Sequence, residues 1–224
     1  MDHSARLGIR WLAATLFSSV GKKGLMALSG AGLGFFLLSH LLGNAMIFAG
    51  RRAYLDYAAL LRHLGPLLTI LEAGLLLTFL VHISLAVSLY IEDCRARPQR
   101  YVAYQRTAGH WGARTMPYTG LLLLLFLGVH LAHFHFSNSE APIADQVRSV
   151  LQQPAAAAFY ILTAAALALH VSHGFWSMFQ SLGLNRPLYE PLVKTGALAA
   201  SLATGAVFIL IPLLALLSAG FLLE

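Results

Sequence analysis

Hydrophobic and polar positions in this chain fall into long blocks rather than alternating. Residues 24–50, 73–91, 115–139, 149–185 and 195–223 contain no Asp, Glu, Lys or Arg. The second run reaches back to about residue 64 if one acid, Glu72, is admitted. A membrane crossing takes about 20 apolar residues, so each run holds one helix and none comfortably holds two. The pattern predicts an all-α membrane protein. It is a single domain over 1–224, with five transmembrane helices at about 24–50, 65–92, 115–138, 154–182 and 194–222. Pro154 suits the first turn of the fourth helix, where its missing N–H is harmless, and Pro212 is expected only to kink the fifth. Trp11–Val20, bounded by Arg10 and Lys22, is too short to span and lacks a convincing cleavage site. It reads as a short N-terminal amphipathic helix lying at the interface.

Composition agrees with the blocks. The chain is 58% hydrophobic and 11% charged, against about 25% charged in soluble domains, which excludes an ordinary water-soluble fold. The single cysteine, Cys94, excludes a disulfide framework, a Cys-based zinc site, a Cys-ligated iron–sulfur cluster and covalent c-type haem. The net charge of +6 does not mark a nucleic-acid partner, because the cations sit between apolar runs and not on a soluble basic face. Five crossings would place Arg6, Arg10, Lys22, Lys23, Arg95, Arg97, Arg100, Arg106, Arg114, Arg186 and Lys194 on one side. The other side would hold Arg51, Arg52, Arg62 and Arg148. That asymmetry of eleven to four places the N-terminus in the cytoplasm.

Ten histidines against nine acids is the anomaly. His3 and His110 fall in cytoplasmic or interfacial segments and His63 in the first outer loop. The other seven are on helices: His40 on the first, His82 on the second, His130, His133 and His135 on or just after the third, His170 and His173 on the fourth. A lone membrane histidine is often a packing residue, but four consecutive helices each carrying one is hard to explain that way. His40 and His130 precede the outer ends of their runs by ten and nine residues; His82 and His170 each precede an inner end by nine. At about 1.5 Å per residue this makes two level-matched pairs, one above the other and roughly 12 Å apart.

Neutral imidazole is the commonest metal ligand, and two on facing helices suit the axial positions of a haem iron. Zinc competes through the H-x-x-H pairs His130/His133 and His170/His173. Zinc prefers three or four ligands, and no acid or thiol shares either level unless Glu72 does. Gly30, Gly32 and Gly34 before His40 would let a flat macrocycle approach the backbone; close helix packing through Gly30 and Gly34 explains them equally well. A nucleotide loop is not credible, since no strand precedes this GxGxG.

The sequence resembles the dihaem cytochrome b membrane anchor of succinate:quinone oxidoreductases, the five-helix single-polypeptide type shared by succinate dehydrogenases and fumarate reductases. The carriers are Ser39-His-Leu-Leu-Gly-Asn44, Val81-His82, and Arg114-Thr-Met116 leading to Thr119-Gly120 and His130-Leu131. The most specific are His170-Val-Ser-His-Gly-Phe-Trp-Ser177 and Gln180-Ser-Leu-Gly-Leu-Asn185. The resemblance implies a first-four-helix haem-binding bundle with a peripheral fifth helix. It implies two haem b: an outer one held by His40 and His130, and an inner one held by His82 and His170. His170 matches because the family's ligand precedes a glycine by four positions, here Gly174; His173 is the runner-up, with a propionate or second-layer role as its alternative. His133 and His135 would meet propionates or solvent.

The resemblance also implies partners: a flavoprotein with FAD, an iron–sulfur subunit docked on the cytoplasmic face, and membrane quinone, with menaquinone the family's usual one. The chain would be the quinone-reactive subunit of a bacterial cytoplasmic-membrane respiratory complex. It would carry electrons between the iron–sulfur centres and quinone, without dicarboxylate chemistry of its own. Glu72, ten residues outward of His82, is the candidate for proton transfer at a quinone site; its alternative is a structural carboxylate bonded to a neighbouring helix. Tyr54, Asp56 and His63 are weaker candidates. Arg114 would pair with an inner-haem propionate or serve only as a positive-inside residue. Menaquinol-using fumarate reductases of this type can carry a Glu two positions before the helix 4 ligand; Ala168 stands there, which leans towards succinate oxidation. The rivals are a dihaem cytochrome b of another respiratory enzyme, such as a nitrate reductase anchor, and a transporter with histidine proton relays.

Overall fold

A computed structural model describes residues 10, 11, 14–96, 108–218 and 220. His3, Arg6, Arg97, Arg100 and Arg106 lie outside the described residues, as does the side chain of His110. The described residues are helical, without strands: α1 (Ser19–Ala45, continued by a 3-10 turn, Met46–Ala49), α2 (Arg51–Arg62), α3 (Pro66–Ala96), α4 (Ala108–Phe134), α5 (Ile143–Leu151), α6 (Pro154–Ser181) and α7 (Glu190–Leu217). Five stretches are long and apolar enough to cross a membrane: Ser19–Ala49, Pro66–Ala96, Arg114–Phe134, Pro154–Ser181 and Glu190–Leu217. Ahead of α1, residues 10, 11 and 14–16 are also helical.

Two boundaries extend past the uncharged runs for one reason. Lys22 in the first turn of α1 is only 18% exposed and is ion-paired with Glu92, near the end of α3. Ser88 joins them, accepting from Lys22 Nζ at 3.0 Å and donating to Glu92 at 3.3 Å. Paired charges can stay at the helix ends, so α1 begins five residues before 24 and α3 ends four after 92. Ser18 caps α1 by accepting from the Gly21 N–H at 3.1 Å. Pro154 stands at the start of α6 as expected, while Pro117 and Pro212 lie inside continuous helices.

The loops at the other end contain two amphipathic helices absent from the hydropathy reading. Gly50, at φ +104°, turns the chain out of the 3-10 segment into α2, a conformation that side chains resist. α2 and α5 fold over the helix ends and build the best-buried cluster in the molecule, with Ile47, Tyr54, Val147, Leu151, Tyr160 and Ile211 among its members. Arg51 clamps the two, its Nη1 and Nη2 donating to the Asp145 carboxylate at 2.6 and 2.8 Å. This is the capped end; the end with Lys22 and Glu92 is the N-terminal end.

The clamp holds the Asp145 carboxyl below its ordinary range, mainly through the hydrogen bond from Arg51. A depressed carboxylate stabilises the fold fully above its unfolded value, near pH 3.9, and loses that contribution as pH falls through the lower folded value. The melting-temperature advantage of wild type over Asp145→Asn is therefore expected to stay constant above about pH 5 and to shrink in stronger acid. An advantage that instead grew on acidification would contradict the clamp.

The spans pack selectively. α3 lies on α1, α4 on α6, α1 on α6, and α7 along α6 in the most extensive contact of all. Small residues permit the last of these: a Cβ on Gly205 would come within 3.3 Å of Ala168 Cβ, and Ser201 Oγ donates to the Ala168 carbonyl at 2.8 Å. By contrast, neither α1 with α4 nor α3 with α6 makes extended contact. α3 contains no buried residue at all. Large apolar side chains such as Phe35, Leu77 and Leu121 are more than 60% exposed, as lipid-facing positions are in a bundle of this kind.

Candidate haem-ligand site

Both helix pairs that carry level-matched histidines, α1/α4 and α3/α6, lack extended contact, as do α3 with α4 and α7 with both α3 and α4. At the capped level, His40 on α1 and His130 on α4 bring their ring centroids to 5.8 Å with the rings at 84°. Two imidazoles on opposite sides of one metal, each bonded at about 2.0 Å, would have centroids about 6 Å apart. Both rings are half-buried, and His130 Nδ1 is buried without any hydrogen-bond partner, a state that costs free energy unless something bonds the ring.

Aromatic rings surround this pair. Phe36 stacks on His40 at 5.4 Å, Phe126 and Phe134 lie 5.4 and 5.2 Å from His130, and Phe208 reaches His40 at 5.8 Å. Phe208 is on α7, so the fifth helix contributes to the capped-level site and is not merely peripheral. Sequence reasoning missed Phe208 because α7 has no histidine. Its signal, an aromatic in a run of Ala, Leu and Gly, is visible only afterwards. His133 is held one turn beyond His130 by a 3.1 Å hydrogen bond to the Tyr160 hydroxyl, and His135 is exposed.

The N-terminal level carries His82 on α3 and His170 on α6. His82 rests against Gly30 of α1, where a Cβ would stand 3.4 Å from its Cε1; His170 rests against Gly120 of α4, with the matching distance 3.7 Å. Ser29 Oγ is 3.1 Å from His82 Nδ1, and Thr119 Oγ1 is 3.2 Å from His170 Nδ1. Of the three glycines before His40, Gly30 faces His82 and Gly32 faces Thr78, whereas Gly34 faces open space. They seat α3 on α1, and Gly30-x-x-x-Gly34 does not act as a packing pair. His173, one turn nearer the N-terminal end, occupies the position a Cβ on Gly112 would need.

The two levels are separated by eleven residues on each of two helices, Ser29 to His40 and Thr119 to His130. That is three turns, about 16 Å, somewhat more than the 12 Å expected, and it keeps both levels on one face of each helix.

The remaining candidates scatter. Glu72 is exposed on α3 and makes no hydrogen bond or ion pair among the described residues. Arg114 is exposed at the N-terminal end. Tyr54 belongs to the capped core, and burial pushes its hydroxyl up to about 12. Asp56 is exposed, 3.9 Å from Arg52, and His63 caps α2 at the surface. None of these three lines either histidine pair. Part of the most specific motif block has a structural role: Gly183 at φ +70° ends α6 in a Schellman turn, with Leu184 N–H donating to the Phe179 carbonyl at 2.9 Å and Gly183 N–H to Gln180 at 3.1 Å.

Chemically, the site offers imidazoles in pairs. Among the described residues no group of three or more His, Cys, Asp or Glu is placed to hold a metal ion. Zinc needs such a group; a haem iron needs only two axial ligands, because the macrocycle supplies the others. The paired donors, the missing contacts between their helices and the unpartnered His130 nitrogen all fit haem. Comparison of the chain with protein-family models, with curated proteins and with solved structures finds no match in any of the three.

Proposed function

We propose that the chain is the dihaem cytochrome b anchor of a succinate dehydrogenase or fumarate reductase complex, in a bacterial cytoplasmic membrane with its N-terminus inside. The observation that carries this reading is the His40/His130 pair: two imidazoles with ring centroids 5.8 Å apart on helices that make no extended contact, with His130 Nδ1 buried and unpartnered. When bound, haem supplies reversible one-electron transfer. His40 and His130 would hold one group near the capped, outer end, and His82 and His170 the other near the inner end.

The protein's own contribution is positional. Phe36, Phe126, Phe134 and Phe208 keep water from the outer pair. Arg114 on the inner side would meet a propionate. Glu72 lies ten residues, about 15 Å, along α3 from His82, where an unpaired carboxylate can take or give a proton to a quinone. The proposed partners are a flavoprotein with FAD and an iron–sulfur subunit on the inner face, with quinone, menaquinone by resemblance, as the membrane reactant. The short helix before α1 would lie along the interface there.

The test is optical. The purified chain, or its complex, is expected to show reduced b-type α bands and a pyridine haemochrome yield of two haems per chain. A protein that folds and shows no haem band would sink the reading and favour a proton-relay transporter.

A further inference from the structure

We infer that Ser29 and Thr119 are positioning residues that accept a hydrogen bond from the Nδ1–H of His82 and His170, leaving Nε2 of each ring bare as the metal-binding nitrogen. The inference rests on reading these two histidines as haem ligands, and goes beyond it by assigning the ring tautomer and the residues that set it.

The argument is a count of protons. A hydroxyl has one hydrogen to donate and two lone pairs to accept with. Ser29 Oγ donates its hydrogen to the Met26 carbonyl at 3.0 Å, one turn back. Thr119 Oγ1 has two carbonyls within reach, Thr115 and Met116, both at 3.1 Å. Back-bonding of this kind is the usual state of Ser and Thr inside an apolar helix. With the hydroxyl hydrogen committed to the backbone, each contact of 3.1 or 3.2 Å to a ring nitrogen needs a proton from the ring. Nδ1 is then the protonated nitrogen.

The arrangement occurs twice in the same form. Ser29-Gly30 on α1 and Thr119-Gly120 on α4 each place a hydroxyl on Nδ1 and a side-chain-free position beside the ring. Each pair is followed eleven residues later by the capped-level histidine of the same helix. Among the described residues no hydroxyl serves His40 or His130 in this way, and His130 Nδ1 has no partner. The two levels therefore differ chemically. An acceptor on the far nitrogen makes an imidazole a stronger donor to its metal and favours the higher oxidation state of the iron.

Redox titration of the holoprotein, followed optically, tests this. In Ser29→Ala and in Thr119→Val the midpoint potential of one haem is expected to rise and its low-spin EPR g-values to move, while the other haem keeps both. Ser29→Thr and Thr119→Ser should restore the wild-type values. Because the two substitutions act on opposite ligands of one iron, loss of haem from one variant leaves the other to decide. If the variants keep both haems with neither potential nor g-values moved, the positioning role is wrong although the haem reading stands. If wild type binds no haem, it is the haem reading that fails.

Discussion

Alanine at any one of the four histidines should remove half of the haem, and which half should follow the pairing. His40→Ala and His130→Ala are expected to abolish the same spectral component, and His82→Ala and His170→Ala the other. The stronger statement concerns combinations. Residues acting as one unit are not additive, so His40→Ala/His130→Ala should look like either single variant. A double substitution drawn from both pairs, such as His40→Ala/His82→Ala, should remove all haem. His173→Ala should retain both, because the His173 ring lies against Gly112 at the start of α4 while His170 makes the Thr119 contact. The reverse result, haem lost from His173→Ala and kept in His170→Ala, would move the ligand by one turn. Loss of all haem from each single variant would show that the pairs do not form separate sites.

The geometry sets these expectations more sharply than spacing does. Depth counted along the sequence pairs His40 with His130, and the structure brings those rings to 5.8 Å. What spacing cannot show is which helices stay apart, because a run of Leu, Ala and Gly is compatible with several neighbours. The hydroxyls at Ser29 and Thr119 were legible as polar residues on apolar helices, but their meaning depends on α3 and α6 delivering a ring to each. The five spans were readable from the charge-free runs alone. Their ends were not, since Lys22 and Glu92 interrupt the runs and neutralise each other across 70 positions of sequence.

α2 and α5 escaped for a different reason. Both are short, and α2 carries three arginines and an aspartate, so hydropathy alone reads them as loop. Their apolar faces matter only because each folds over a helix end, where Tyr54, Val147 and Leu151 find a common core.

Glu72→Gln is the substitution expected to separate quinone chemistry from haem binding. A charged side chain at a membrane helix centre costs about 2.5–3.5 kcal/mol by insertion scales. Glu72 stands inside a candidate span, six residues from its capped end where the cost is smaller, exposed and without a partner among the described residues. A structural carboxylate would have found a donor on α1, as Glu92 does in Lys22 at the other end of the same helix. Retention of an unpaired acid on α3 therefore points to a group whose partner arrives from outside, and a quinone oxygen that must gain or lose a proton is such a partner. General acid–base groups contribute about 10²–10⁴ in rate, so quinone turnover of the complex should fall by at least about 100-fold in the Gln variant. Both haems should remain bound and reducible by dithionite, since Glu72 is about 15 Å along the helix from His82. Glu72→Asp, which keeps the acid on a shorter arm, should recover part of the activity. Unchanged turnover in Glu72→Gln would make the carboxylate a lipid-facing surface group and require the proton to enter elsewhere on the capped end.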